Sequence, residues 1–138
     1  VRSNLRYRMP DASEEEISWA RALCRLGALL ETLPEGENYR LQEGGQNLSL
    51  GQRHHLALAR AILGRPPLLI LDEIDANLDS HAEEAITNVF DHYPGTIIMA
   101  TRSARWIEHA DLCWHMGGGK LIDVTKHPMS GQADAAGA

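Results

Sequence analysis

Apolar residues recur at helical spacing through Ile17, Ala20, Cys24, Gly27 and Leu30, and the stretch opens on Ser13 with Glu16 three residues later. That pairing makes a capping box, so the pattern predicts a helix that starts at Ser13 and gives way near Glu31. Pro34-Glu35-Gly36 breaks it, and Tyr39 to Gln46, with Glu43-Gly44-Gly45 inside, reads as a loop. A second helical stripe opens at Ser49 and runs to about Leu63, where Gly64 supplies a C-terminal stop. Behind Pro66-Pro67, the short run Leu68 to Leu71 is continuously apolar, as expected of a strand buried on both faces. A helix over roughly Ser80 to Phe90 ends at Tyr93-Pro94-Gly95, and Thr96 to Ala100 predicts a second buried strand. Ser103 to His109 reads as helical. Leu112 to Met116 and Lys120 to Val124 are expected to finish the sheet as a hairpin turning on Gly117-Gly118-Gly119. From Thr125 onward, small and polar residues predict a mobile tail.

This alternation of strand and helix implies an α/β fold with a mostly parallel sheet. The length of 138 residues allows one domain at most. No internal repeat is visible. The chain is 43% apolar yet has no uncharged apolar run of about 18 residues, so nothing in it predicts a membrane span. No signal peptide opens it. A net charge of −6 argues against a nucleic-acid partner, which a basic patch would mark. Cys24 and Cys113 share no metal-ligand spacing and read as two buried thiols in a reducing compartment. His54 and His55 are adjacent on one helix, so they do not share a face and do not make a metal pair.

The candidate chemistry lies between Asn47 and Asp79. Leu48-Ser49-Leu50-Gly51-Gln52 places a hydroxyl and a small residue at a helix N-terminus, where free N–H groups and the positive dipole end attract phosphate. Asp72 and Glu73 emerge at the carboxyl end of a predicted strand, the edge at which α/β sheets bind ligands. One carboxylate can hold Mg²⁺ and the other can orient a water. Asp79 closes the loop that follows, where the residue alone supports plain N-capping of the next helix.

In this block the chain resembles the nucleotide-binding domain of ABC transporters. Leu48 to Gln52, LSLGQ, is similar to the family signature LSGGQ; LLILDE is similar to its Walker B strand, and Ala76-Asn77-Leu78-Asp79 to its D-loop. Their order and close spacing fit as well, and the resemblance covers Val1 to about Val124. It implies part of a P-loop NTPase core of the RecA-like kind. Residues 1–46 would be part of the ABC helical subdomain and the pre-signature loop, and 47–124 the signature helix, Walker B, D-loop and C-terminal half of the ATP-binding core. Residues 125–138 remain the tail.

The resemblance implies ATP and Mg²⁺ as ligands, a second cassette as partner, and a transmembrane domain touched by the helical subdomain. It implies Asp72 as the metal carboxylate and Glu73 as the residue polarising the attacking water. Ser49, Leu50, Gly51 and Gln52 would meet the γ-phosphate of a nucleotide held by the opposite cassette, and Asp79 would cross the dimer interface. The lead-in Glu43-Gly44-Gly45-Gln46-Asn47 looks most like exporter-type cassettes, although of their T-E-V-G-E run only Glu43 is kept.

Three departures stand beside the resemblance. No G-x-x-x-x-G-K-[ST] phosphate loop occurs in the 138 residues; Gly117-Gly118-Gly119-Lys120 is followed by Leu121, not by Ser or Thr. Together with Val at position 1, this gives the expectation of the C-terminal part of a cassette whose first half lies elsewhere. Leu50 stands where the family has a small residue, which puts bulk at the phosphate approach. Arg102 stands at the end of Ile97-Ile98-Met99-Ala100-Thr101, where the family has a histidine that contacts the γ-phosphate. Arginine keeps charge and donors but does not exchange a proton near neutral pH. Neither His109 nor His115 fits that role by spacing.

Three functions remain open. One is the ATPase motor segment of an exporter, at the cytoplasmic face of a membrane. Another is a degenerate or truncated cassette that completes a partner's site without hydrolysing ATP. The third, an ABC ATPase of DNA maintenance, would bring long coiled coils or zinc modules that this sequence does not contain.

Overall fold

The computed structural model describes residues 1–75 and 78–127. Ala76 and Asn77 of the expected D-loop, and the tail from 128 onward, lie outside the described residues. Helices α1 (Arg2–Leu5), α2 (Glu14–Leu23) and α3 (Leu26–Glu31) come first, followed by single 3₁₀ turns at Gly36–Asn38 and Glu43–Gly45. Then come α4 (Leu50–Ile62), β1 (Leu68–Asp72), α5 (Ser80–His92), β2 (Thr96–Ala100), α6 (Ala104–His109), β3 (Leu112–Gly117) and β4 (Lys120–Lys126). The chain divides into two compact units, Val1–Ala100 and Thr101 onward.

In the first unit, the predicted capping box forms. The Ser13 hydroxyl accepts the Glu16 N–H at 3.2 Å and the Glu16 carboxylate accepts the Ser13 N–H at 2.8 Å. The helix begun there is not continuous to Glu31, however. Arg25 adopts a left-handed conformation with φ of +49°, separating α2 from α3. One left-handed residue resets the direction of the next helix, so the buried side chains after it are Leu26, Leu29 and Leu30, whereas Gly27 is exposed. Arg25 pairs with Glu84 of α5 at 3.2 Å. Leu26, Leu58, Ile62, Ile86, Val89 and Cys24 are the largest fully buried side chains, so the core lies where α2 and α3 meet α4 and α5.

The strands β1 and β2 pair in parallel with α5 as the crossover, in a register running from Leu68–Thr96 to Asp72–Ala100. The link from α4 into β1 is held at both sides: the Tyr93 hydroxyl donates to the Pro66 carbonyl, and Arg65 stacks 4.6 Å over Trp19. The expectation that β1 is buried on both faces does not hold. Leu69 and Leu71 are covered, but Leu68 is 46% and Ile70 68% exposed. A continuous apolar run signals two faces that favour cover, and here only the helical side supplies it.

The second unit places Trp106 of α6 in its buried part and carries the β3–β4 hairpin. Gly118 and Gly119, with φ of +56° and +74°, make the two left-handed turn positions that the glycine triplet predicted. The ladder of this hairpin is a separate antiparallel sheet and not a continuation of β1–β2. It also runs two residues past Val124, to Lys126, because Thr125 and Lys126 pair with Cys113 and Leu112. Cys113 is accordingly only half-buried, whereas Cys24 is fully buried.

Candidate functional site

Ser49 is the N-cap of α4. Its hydroxyl accepts the Gln52 N–H at 3.1 Å, and the Gln52 side-chain carbonyl accepts the Ser49 N–H at 2.9 Å. The Gln52 amide then donates to the Thr32 hydroxyl at 3.3 Å, tying this turn to the end of α3. Gln52 is therefore engaged at both ends within the chain. Ser49 stays solvent-exposed, and its O–H proton is not used by the capping bond, in which the oxygen accepts. The backbone ladder begins only with Arg53 N–H to the Ser49 carbonyl, so the N–H groups of Leu50 and Gly51 precede it. This is a 13-residue helix whose open end combines a hydroxyl, two amide donors and the positive dipole end. Leu50 is 39% exposed there.

At the other sequence motif, Asp72 is the last residue of β1 and Glu73 leaves the strand in a left-handed conformation, φ +46°. A non-glycine residue in that region is strained, and it is held there by its N–H donating to the Ala100 carbonyl at 3.0 Å. Both carboxylates are exposed. Among the described residues no three His, Cys, Asp or Glu side chains converge as a metal centre. A cation here would therefore take one or two protein carboxylates and complete its shell with water or phosphate oxygens, which is how Mg²⁺ is usually held. The donor set fits that ion.

Asp79 caps α5, its Oδ1 accepting the Ala82 N–H at 2.8 Å. The same side chain packs on α4: a Cβ built on Gly51 would lie 2.7 Å from Asp79 Oδ2 and 3.2 Å from the Asp79 backbone nitrogen. The structure thus brings Gly51 and Asp79 together. Arg102 follows β2 as an exposed residue of the second unit, beside a turn in which the Ser103 N–H donates to the Thr101 hydroxyl.

Two features of this region were not anticipated from sequence. The Gly51–Asp79 contact joins positions far apart in the chain, and no local pattern encodes it. His55 could have been found, because the buried stripe of α4 passes from Gly51 through His55 to Ala59 and Ile62 at helical spacing. His55 is 2% exposed and its Nε2 bonds to the Cys24 carbonyl. Burial pushes its imidazole below the usual range; the bond to Cys24 and the charge of Asp79 act against that, and His81 adds to it. His54, its neighbour, is only half-buried.

Comparison with known proteins gives a consistent picture. The family model described as ABC transporter matches residues 2–76. A glutathione/L-cysteine transport system ATP-binding/permease protein of Bacillus subtilis is 36% identical over 129 residues, covering 91% of this chain and 22% of that protein. An ATP-dependent lipid A-core flippase of Neisseria gonorrhoeae is 38% identical over 128 residues, covering 90% and 20% respectively. Among solved structures, a bacterial Atm1-family ABC exporter with ATP bound matches with a TM-score of 0.76 at 26% identity, over 91% of this chain and 22% of that one. The chain thus spans about a fifth of the length of these relatives. Among the described residues no helix is long and apolar enough to cross a membrane.

Proposed function

The chain belongs to the ABC transporter family, and from that premise we propose that it is the C-terminal segment of an exporter cassette that binds and hydrolyses ATP to drive transport. The observation that carries this reading is the pairing of two ends: a phosphate-suited helix start at Ser49–Gly51 and adjacent exposed carboxylates, Asp72 and Glu73, at the carboxyl end of β1. In this reading the cassette works as a dimer at the cytoplasmic face of a membrane, joined to a transmembrane domain. Ser49, Leu50, Gly51 and Gln52 approach the γ-phosphate of the nucleotide held by the partner cassette, and Asp79 lies at the dimer interface. Arg102 contributes a fixed positive charge toward a γ-phosphate.

Asp72 holds Mg²⁺, which when bound neutralises charge on the phosphate oxygens. Glu73 accepts a hydrogen bond from the attacking water and so fixes its direction of approach. Its left-handed backbone, anchored on the Ala100 carbonyl, sets where that carboxylate starts from. The test is Glu73→Gln in the full-length protein that contains this chain. The amide keeps the shape and loses the basic oxygen, so ATP binding persists and hydrolysis falls by about 10²–10⁴-fold. Unchanged turnover overturns the assignment.

Arg102 favours a second reading, a cassette that completes a partner's site without hydrolysing ATP itself, because a guanidinium holds phosphate but does not cycle its proton. In that case Glu73→Gln leaves the turnover of the assembled pair unaltered while signature substitutions at Ser49 abolish it.

A further inference from the structure

We propose that Gly51 is a positioning residue: it carries no side chain so that Asp79 can seat on the first turn of α4, and this contact fixes where α5 begins. The proposal rests on the reading of the chain as part of an ATP-hydrolysing cassette. It assigns Gly51 a role inside its own chain, separate from any approach to phosphate.

The geometry makes the requirement steric. Gly51 is buried inside a helix and its φ is not left-handed, so its backbone would accept any residue. A Cβ there would nevertheless lie 2.7 Å from Asp79 Oδ2, 3.1 Å from Cγ and 3.2 Å from the backbone nitrogen. A flexible side-chain end could usually swing away from such a contact. This one is restrained, because Asp79 Oδ1 holds the Ala82 N–H at 2.8 Å and rotation would surrender that cap. The backbone nitrogen, at 3.2 Å, has to give by only a few tenths of an ångström, so the carboxylate contact at 2.7 Å decides the fit. Room for a methyl group therefore has to come from displacement of the loop end or of the start of α5. That loop continues directly from Asp72 and Glu73, only six residues from Glu73 to Asp79 in sequence. A side chain at position 51 thus moves the far anchor of the segment that begins at the carboxylate pair.

The experiment is a double-mutant cycle in the full-length protein: Gly51→Ala on the Asp79 background and on an Asp79→Ser background. Serine still caps a helix but lacks Oδ2, which relieves the closest approach. With Asp79 present, Gly51→Ala is expected to lower kcat by about tenfold with little change in KM for ATP, as for residues in direct contact. With serine at 79, the same change costs less than about threefold. An equal loss on both backgrounds would overturn the proposal, since a glycine needed only for access to phosphate is indifferent to residue 79. Where turnover is absent in the parent protein, the functional reading fails on its own. The same cycle followed by thermal midpoint then decides the contact: non-additive shifts support it and additive shifts overturn it.

Discussion

His55 gives the sharpest stability prediction. It is 2% exposed, and its ring nitrogen Nε2 is spent on the carbonyl of Cys24, a residue with no solvent exposure. Nε2–H donating to that carbonyl fixes the neutral tautomer, leaving Nδ1 as the atom that a second proton would have to charge. Desolvation depresses the folded-state pKa below the unfolded value of about 6.5, even though the Cys24 bond and Asp79 pull it upward. The unfolded chain therefore takes up the proton first as pH falls. The His55 contribution to stability is fully present above about pH 6.5 and is lost progressively below it, down to the depressed folded value. From about pH 7.5 to about pH 5.5, uptake by an unfolded group of that pKa is worth at most about 1.4 kcal/mol. For a chain of 138 residues, that corresponds to a fall of about 5 °C in thermal midpoint. The chain holds six other histidines and 19 carboxylate side chains, so the measurement is a difference. His55→Gln keeps an N–H donor for the Cys24 carbonyl but does not titrate. Thermal unfolding of both proteins at the two pH values should show a smaller acid-induced drop in the glutamine variant, by up to that amount. An equal or larger drop in the variant would refute the reasoning.

Three further outcomes are expected. Fluorescent ATP analogue titrated into the 138-residue chain should show no micromolar binding, because these residues contain no phosphate loop; micromolar affinity would contradict this. Arg102→His in the full-length protein should raise ATP turnover with little change in ATP affinity, and equal or lower turnover would show that position 102 does not work as a proton-exchanging contact. The isolated chain should self-associate at low micromolar concentration in sedimentation, since Leu68, Ile70 and Ile98 are exposed on strands that, among the described residues, pair only with each other. A monomer unfolding cooperatively above about 60 °C would contradict that expectation.

Local rules were legible wherever one short stretch carries the whole signal. The Ser13–Glu16 box, the helix start at Ser49, the existence of strands at 68–71 and 96–100, and the glycine turn at 118–119 all follow from their residues, although the strands are less buried than expected. Arg25 was missed for a physical reason: arginine is a good helix former, so nothing local announces a left-handed break, and tertiary packing of α3 decides it. The exposure of Ile70 was missed because an apolar run reports what a strand favours and not what covers it. At Asp79, the cap on Ala82 was readable from the residue type, but its seat on Gly51 depends on how α4 and α5 pack. The same holds for His55, whose partner carbonyl is 31 residues away.

Glu73 sits in a conformation that glycine adopts freely and that costs another L-residue on the order of 1 kcal/mol. Selection for folding and selection for chemistry therefore pull this position in opposite directions. A library of substitutions at 73, screened only for folded protein, should enrich glycine and asparagine over glutamate, with β-branched residues lost first. The same library screened for ATP turnover should return glutamate. A residue that a fold-only screen discards and a functional screen restores is thereby marked as working, with no ligand in view. Because Glu73→Gln keeps an ordinary side chain on the same strained backbone, it should rank beside glutamate in the first screen and fall away only in the second.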